Sequence, residues 1–518
     1  MPTWHLESDV VNFSILDYEK ALKEKNLLVK TCGFDQCREN AEVSFLTYDS
    51  REVTDGTLFI CKGAGFREDF LRDSVRSGAV AYVSEKEYEV PVPALIVSDI
   101  RKAMPVLAEK YTCNAWKDLT ITAFGGTKGK STSTYFMKSI VDEYMKKTGG
   151  RKSALLSSIS NYDGGKMEES HLTTPEAVEL HRHILAAKNN GITWMEMEVS
   201  SQALKYHRVD NMRFDVGVFL NISEDHISSV EHKDFEDYFN SKMKMFAMTD
   251  HAVVNLDCDK AEDAIKAASA SHDITTFSIK NPEADYYGYD IKREGRGYIF
   301  KVKGKNINGE FEIGMPGLFN VENAMAAVTA AGIYGIPEEC VKAGLLKARA
   351  DGRMEMFASK DRKVVAIVDY AHNALSFRTL FKTIEKENQE NRKVISVFGC
   401  PGDKAQNRRR DLGTIAGAHS DMIYLVPDDP GFESPADISE EIARYVRAQN
   451  CPLEIVDDRG EGIRKAIFTP DREGDSVIVL ILAKGRETTM KVGSNYITCK
   501  SDVDYAGQFI SEYDEKHS

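Results

Sequence analysis

Gly126-Thr127-Lys128-Gly129-Lys130-Ser131-Thr132 sets glycines, lysines and paired hydroxyls in the spacing of a phosphate-binding loop. Backbone N–H groups of such a turn converge on one point, and the helix that follows directs the positive end of its dipole there. Lys130 brings a full charge for a β- or γ-phosphate, and Ser131 or Thr132 a hydroxyl for magnesium. Phe124 stands where the longer form of this loop carries its first glycine, so the motif is the shorter form. The chemistry it predicts is ATP binding.

The elements needed to hold that loop are legible on both sides. Leu119-Thr120-Ile121-Thr122 is β-branched and apolar enough for a buried strand. Phe136, Ile140 and Tyr144 recur every four residues with Met137 and Val141 beside them, the period of a helix burying one face. Residues 194–199 and 216–220 read as further core strands. Glu198-Val199-Ser200-Ser201 and Asn221-Ile222-Ser223-Glu224-Asp225-His226 lie at their C-terminal ends. Ligands of an open parallel sheet bind off the carboxyl ends of its strands, so all three stretches are expected to face one crevice. Glu198 and His226 would then reach a magnesium ion beside the phosphates.

The chain has 518 residues, a length prior of about three domains, and a 42% hydrophobic fraction that supports sizeable cores. A net charge of -14 argues against nucleic acid or an anionic membrane as the main partner. Nine cysteines, none in a CxxC pair, read as reduced thiols rather than a disulfide framework or zinc site. The N-terminus lacks the pattern of a signal peptide. The longest apolar run, 477–483, suits a buried parallel strand and is far too short to span a membrane. A cytoplasmic protein, monomeric and without membrane insertion, is expected.

The fold class read from this pattern is α/β in three domains. Residues 1–115 form a small α/β module with strands at 57–60, 79–83 and 94–97. Residues 116–352 form a central P-loop domain with a parallel sheet, an antiparallel excursion near 298–313, and a helix resuming at 320. Residues 353–518 form a doubly wound, Rossmann-like sheet with strands at 364–368, 394–398, 422–426 and 477–483, and helices at 438–446 and 462–467. Gly399-Cys400-Pro401-Gly402 is a turn without a dinucleotide fingerprint. The third domain is therefore expected to hold a substrate and close over the loop.

Taken in order, the motifs resemble the Mur ligases, in particular the branch that adds the third amino acid to UDP-N-acetylmuramoyl-L-alanyl-D-glutamate. Those that carry the resemblance are Leu172-Thr173-Thr174-Pro175-Glu176, Met197-Glu198-Val199-Ser200-Ser201 with His207-Arg208-Val209, and 221–226. They continue with Asp237-Tyr238-Phe239-Asn240-Ser241-Lys242, Gly352-Arg353-Met354-Glu355, Asp369-Tyr370-Ala371-His372 and Val397-Phe398-Gly399-Cys400. The resemblance implies that Thr173, Thr174, Ser200 and Arg208 hold the muramoyl dipeptide, with Ser50 on the UDP end. Glu198 and His226 would join Ser131 around Mg2+. Lys242 matches a lysine that family members carry as a CO2-derived carbamate, which turns a cation into a carboxylate near the metal. Asn320, Asn323, Arg353 and Asp369 would complete the ATP site. Lys130, Glu198, His226 and Lys242 are the expected catalytic set, acting through an acyl phosphate.

The branch that adds meso-diaminopimelate carries Asp-Asn-Pro-Arg, whose arginine clamps a second carboxylate. This chain has Asp428-Asp429-Pro430-Gly431, and Lys404 stands where the other arginine of the clamp is expected. Adjacent acids suit a distal ammonium, so L-lysine is the expected amino acid, with L-ornithine and meso-diaminopimelate as alternatives. Lys404 would grip the α-carboxylate, and Glu487 would add negative charge. Smaller departures are Ala483-Lys484-Gly485-Arg486-Glu487, where relatives have Gly-Lys-Gly-His-Glu, and Gln202 and Tyr206 near the dipeptide residues. Two other readings stand beside this one: an amide ligase like folylpolyglutamate synthetase, and a binding protein that uses ATP only to close.

Overall fold

The computed structural model describes residues 12–33, 40–63, 65–165, 167–170, 172–223, 232–295, 297–349, 352–388, 390–403, 406–470 and 475–517. Three large sheets organise them. The N-terminal one runs Leu28–Cys32, Ala94–Val97, Ala79–Ser84, Thr57–Ile60, Phe45–Thr47, with only the first strand antiparallel to its neighbour. Its core gathers Leu58, Val83 and Leu95 with Ile15, Leu22 and Leu107 of covering helices. Ala177 and Val178 of the helix Ala177–Asn189 join that core, so the module is seated on an element of the central domain. Arg182 of the same helix is buried, stacks on Phe45, and donates to the Leu46 carbonyl at 2.5 Å and to Glu52 at 3.1 Å.

The central sheet has eleven strands. Its parallel part runs Ala154–Leu156, Trp194–Glu198, Thr120–Gly125, Phe214–Phe219, Thr249–Asn255, Asp273–Ser278, Tyr286–Glu294. Gly297–Lys303 and Asn308–Ile313 extend it antiparallel, the excursion expected there. Glu198 pairs with Phe124, and Phe219 with Gly125, so these strands end level with one another. The strand before the loop runs three residues longer than its β-branched stretch. That is why Phe124, fully buried, belongs to the sheet and not to the turn. The helix Lys130–Thr148 follows directly and stops at Gly149.

The C-terminal sheet is ordered Glu355–Ala358, Val364–Asp369, Val477–Leu482, Lys393–Phe398, Met422–Leu425, Leu453–Ile455, all parallel but the first. Val477–Leu482 is apolar and buried at every residue, as a strand covered by helices on both faces must be. By compactness the chain forms two units: Met1–Gly314 with Phe319–Ala348, and Met315–Leu318 with Arg349–Ser518. No helix among the described residues is long and apolar enough to cross a membrane.

One buried acid has a consequence for stability. Glu196 lies on the central strand two residues before Glu198, without solvent exposure and near Lys138 and Asp142 of the long helix. Burial pushes its carboxyl up to about 8. Between its ordinary 4.5 and that value the unfolded chain releases a proton that the folded one keeps. Folding stability therefore falls as pH rises through this window, by up to about 1.4 kcal/mol per pH unit. Glu196→Gln is expected to flatten that slope in urea titrations at pH 5 and pH 8. A parent protein equally stable at both would contradict it.

Candidate active site

The loop at the end of Thr120–Gly125 is held from behind. Asn221, just past the neighbouring strand, accepts the Lys128 N–H on its side-chain oxygen (2.9 Å) and donates its amide to the Lys128 carbonyl (3.0 Å). Its backbone carbonyl accepts the Thr127 N–H (3.0 Å). The Thr127 hydroxyl shares a hydrogen bond with the Tyr238 hydroxyl (3.0 Å). Gly129 has a φ of +83°, and a Cβ there would lie 2.1 Å from the Asn323 side-chain oxygen, so conformation and space both demand glycine. Asn323 in turn donates to Asn320 (3.0 Å).

Two lysines meet at the same carbonyl. Lys130 Nζ donates to Gly126 O (3.1 Å) and Thr127 O (3.2 Å), and Lys242 Nζ donates to Gly126 O (2.8 Å). Lys242 is buried on the helix Phe235–Met243, its ammonium over the Tyr238 ring. The acid side is built through Ser158, two residues past the strand Ala154–Leu156. Its N–H and hydroxyl both donate to Glu198 Oε1 (2.8 and 3.1 Å), and its hydroxyl shares a hydrogen bond with Ser131 (3.0 Å). Ser131, Ser158 and Glu198 thus form one chain of hard oxygen donors at a helix N-terminus. That donor set fits Mg2+, a hard cation that prefers oxygen ligands and keeps water and phosphate oxygens in its shell. Among the described residues no three His, Cys, Asp or Glu side chains gather for a metal.

Behind Glu198 lies a second polar group. The Thr174 hydroxyl donates to the Glu198 carbonyl (3.0 Å) and accepts the Ser200 N–H (3.0 Å). Arg208 donates to the Thr174 carbonyl (3.1 Å) and pairs with Glu176 (2.8 Å), which also holds Lys62 of the N-terminal module (2.9 Å). Arg208 Nε is buried without a partner among the described residues. Thr173 is half-buried next to Thr174, and Ser50 sits half-buried in the turn where Arg51 pairs with Asp49.

The C-terminal unit carries its own cluster at its strand tips. Lys484 Nζ donates to Asp429 Oδ1 (3.0 Å) and Glu487 Oε2 (2.8 Å), with Asp428 at 3.9 Å. Burial works against the Lys484 charge, but Asp428 and Glu487 outweigh it and hold the ammonium above its ordinary range. Burial raises Asp428 and Glu487, and Lys484 draws both back. Beneath them Arg459 makes a two-pronged pair with Asp502 (2.6 and 2.8 Å) and donates to the Leu482 carbonyl (2.7 Å). Gly431 has a φ of +58°, and a Cβ there would meet Asp403 Oδ2 at 2.0 Å. Asp369 accepts the Met354 and Ala371 N–H groups, both at 2.8 Å, and Arg353 lies over the Tyr370 ring.

Residues 124–331 match the Mur ligase middle domain and 352–484 the Mur ligase glutamate ligase domain. The UDP-N-acetylmuramyl-tripeptide synthetase of Lactobacillus acidophilus is 35% identical over 514 residues, 95% of this chain and 96% of its own. The chain belongs to the Mur ligase family. The UDP-N-acetylmuramoyl-L-alanyl-D-glutamate--L-lysine ligase of Streptococcus pneumoniae is 37% identical over 439 residues, 84% of this chain and 86% of its own. A solved UDP-N-acetylmuramoyl-L-alanyl-D-glutamate--2,6-diaminopimelate ligase superposes over 98% of this chain and all of its own. Its TM-score is 0.64 at 24% identity, a likeness of fold.

Of the residues expected to serve a Mur ligase, the structure gathers Lys130, Lys242, Ser131, Glu198, Asn320 and Asn323 around the loop. Asp428, Asp429 and Glu487 gather around Lys484. His226 and Lys404 lie outside the described residues. Ser158 is not legible in the sequence, because the strand before it, Ala154–Leu156, is only three residues long and carries no alternation or turn signal that marks its tip. Lys484 was legible only as part of a motif. Ala483, where Mur ligases carry glycine, has a φ of +88°. A side chain is strained there, so Ala483→Gly is expected to stabilise the protein by about 1 kcal/mol. An unchanged or lower urea midpoint would count against that strain.

Proposed function

We propose that this Mur ligase joins L-lysine to the D-glutamate carboxylate of UDP-N-acetylmuramoyl-L-alanyl-D-glutamate at the expense of ATP, in peptidoglycan precursor synthesis. The observation that carries the choice of amino acid is the turn at Gly431. An arginine, the residue that would clamp a second carboxylate, would be strained at this φ, and its Cβ would press on the Asp403 carboxylate. Among the described residues the acids beside that turn outnumber the one ammonium they pair with, Lys484, and so favour a ligand with a distal positive charge. Residues 1–115 hold the uridine end through Ser50, 116–352 the nucleotide and dipeptide, and 353–518 the amino acid, with Lys404 on its α-carboxylate. The protein works in the cytoplasm as a monomer. Eight unpaired cysteines among the described residues support a reducing compartment.

The chemistry runs in two displacements. The D-glutamate carboxylate attacks the γ-phosphorus in line and ADP leaves, giving an acyl phosphate. The neutral amine of the amino acid then attacks that carbonyl, loses its proton, and phosphate departs from a tetrahedral intermediate. Lys130 leaves the carbonyls of Gly126 and Thr127 for the phosphoryl oxygens, where its charge counts most as negative charge spreads. Thr173, Thr174, Ser200 and Arg208 orient the dipeptide, and the orphaned Arg208 Nε is a donor in waiting for an anionic group. Asn320, Asn323, Arg353 and Asp369 contact the nucleotide. Mg2+, held by Ser131, Ser158, Glu198 and His226 with carbamylated Lys242, would neutralise the phosphate oxygens.

Phosphate release by the purified chain with ATP and the UDP-muramoyl dipeptide is expected with L-lysine and at least ten-fold weaker, roughly one lost charged contact, with L-ornithine or meso-diaminopimelate. A preference for meso-diaminopimelate would overturn the assignment. The crowding of Lys130 and Lys242 on one carbonyl supports carbamylation, since an anion at Lys242 removes a like charge. Turnover is therefore expected to fall in CO2-free buffer and recover with bicarbonate, and Lys242→Glu to outperform Lys242→Ala. Full activity of Lys242→Ala would exclude the modification as a requirement.

A further inference from the structure

Tyr370 touches both kinds of residue that the proposed reaction needs from the C-terminal unit. Its hydroxyl donates to Glu487 Oε1 at 2.6 Å, within the acidic cluster. Its ring faces the guanidinium of Arg353, the residue proposed to contact the nucleotide, 4.9 Å from the centroid. Its backbone N–H donates to the Gly352 carbonyl at 3.0 Å, one residue before Arg353. Gly485, two residues before Glu487, packs against the ring edge, where a Cβ would lie 3.5 Å from Tyr370 Cδ2. A parallel tie runs through Arg486, which pairs with both oxygens of Glu355 (2.7 and 3.2 Å), while Glu355 accepts the Gly352 N–H (3.0 Å). The segments 484–487 and 352–355 are thus fastened together twice.

We infer that Tyr370 is a positioning residue that couples occupation of the amino-acid pocket to the placement of Arg353 for the nucleotide. This rests on the ligase reading above. Glu487 has one oxygen on Lys484 and the other on Tyr370, so its carboxylate cannot rotate and presents fixed lone pairs to an incoming ammonium. A ligand that draws on Glu487 moves the phenol, and the ring carries the guanidinium. Burial raises the phenol far above its ordinary range, so it stays a donor throughout the working pH. The coupling is reciprocal: the amino acid tightens nucleotide binding by the factor with which the nucleotide tightens amino-acid binding.

The test uses the full chain, a non-hydrolysable ATP analogue and L-lysine. In the parent, saturating L-lysine is expected to tighten analogue binding about five-fold. Tyr370→Phe keeps the ring on Arg353 and loses only the hydroxyl. It is expected to raise the KM for L-lysine about ten-fold, leave the affinity for the ATP analogue without L-lysine unchanged, and abolish the tightening by L-lysine. In Glu487→Ala the coupling is already gone and Tyr370→Phe adds nothing to that loss. A Tyr370→Phe enzyme with the parent KM for L-lysine, or with its coupling intact, overturns the inference while leaving the ligase reading standing. A parent chain without amino-acid-dependent phosphate release overturns both.

Discussion

The Gly126 carbonyl accepts two ammonium groups, and the central site is arranged around that oxygen. Lys130 comes from the helix that leaves the loop and Lys242 from a helix more than a hundred residues later. Like charges brought this close in a poorly hydrated site raise each other's energy. The two ammonium groups thus bring positive charge to the loop, although the chain as a whole has a net charge of -14. Asn221 fastens the turn by occupying both the N–H and the carbonyl of Lys128 and accepting the Thr127 N–H.

The C-terminal cluster has the opposite sign and the same architectural origin. Both lie just beyond the carboxyl ends of parallel strands, where chain ends and loops from several elements converge. At the Gly126 carbonyl two cations meet; around Lys484, among the described residues, the acids outnumber the cation. The buried Arg459–Asp502 pair lies beneath that cluster, with its two charges paired to each other. It braces the ends of two strands by bonding to the Leu482 and Pro427 carbonyls. A ligase that activates a carboxylate with a nucleotide and then recruits an amine needs one surface of each kind.

Much of this was legible before any coordinates. Thr57–Ile60 and Ala94–Val97 begin and end where their apolar runs do, and the antiparallel excursion near 300 follows from alternation between turn residues. Thr249–Asn255 and Asp273–Ser278 were not legible. Asp250 and His251 interrupt the first, and Asp273 and Ile274 are exposed at the start of the second, so neither alternation nor a continuous apolar run marks them. The loop lysine and its hydroxyls were readable because one short segment supplies them all. Ser158 was not, because its meaning depends on Ser131 and Glu198, which reach it from two other elements.

Sequence alone determined the strand–loop–helix with its phosphate chemistry, the α/β alternation, and the replacement of a clamping arginine by glycine at 431. Each of these is local: a turn conformation, a burial period or a side-chain type suffices to state it. Only the tertiary structure decided that Lys130 and Lys242 share a carbonyl, that Ser158 joins Ser131 to Glu198, and that Tyr370 stands between Glu487 and Arg353. Strand order and register set those meetings, and they depend on pairings between segments tens to hundreds of residues apart, which no local pattern encodes.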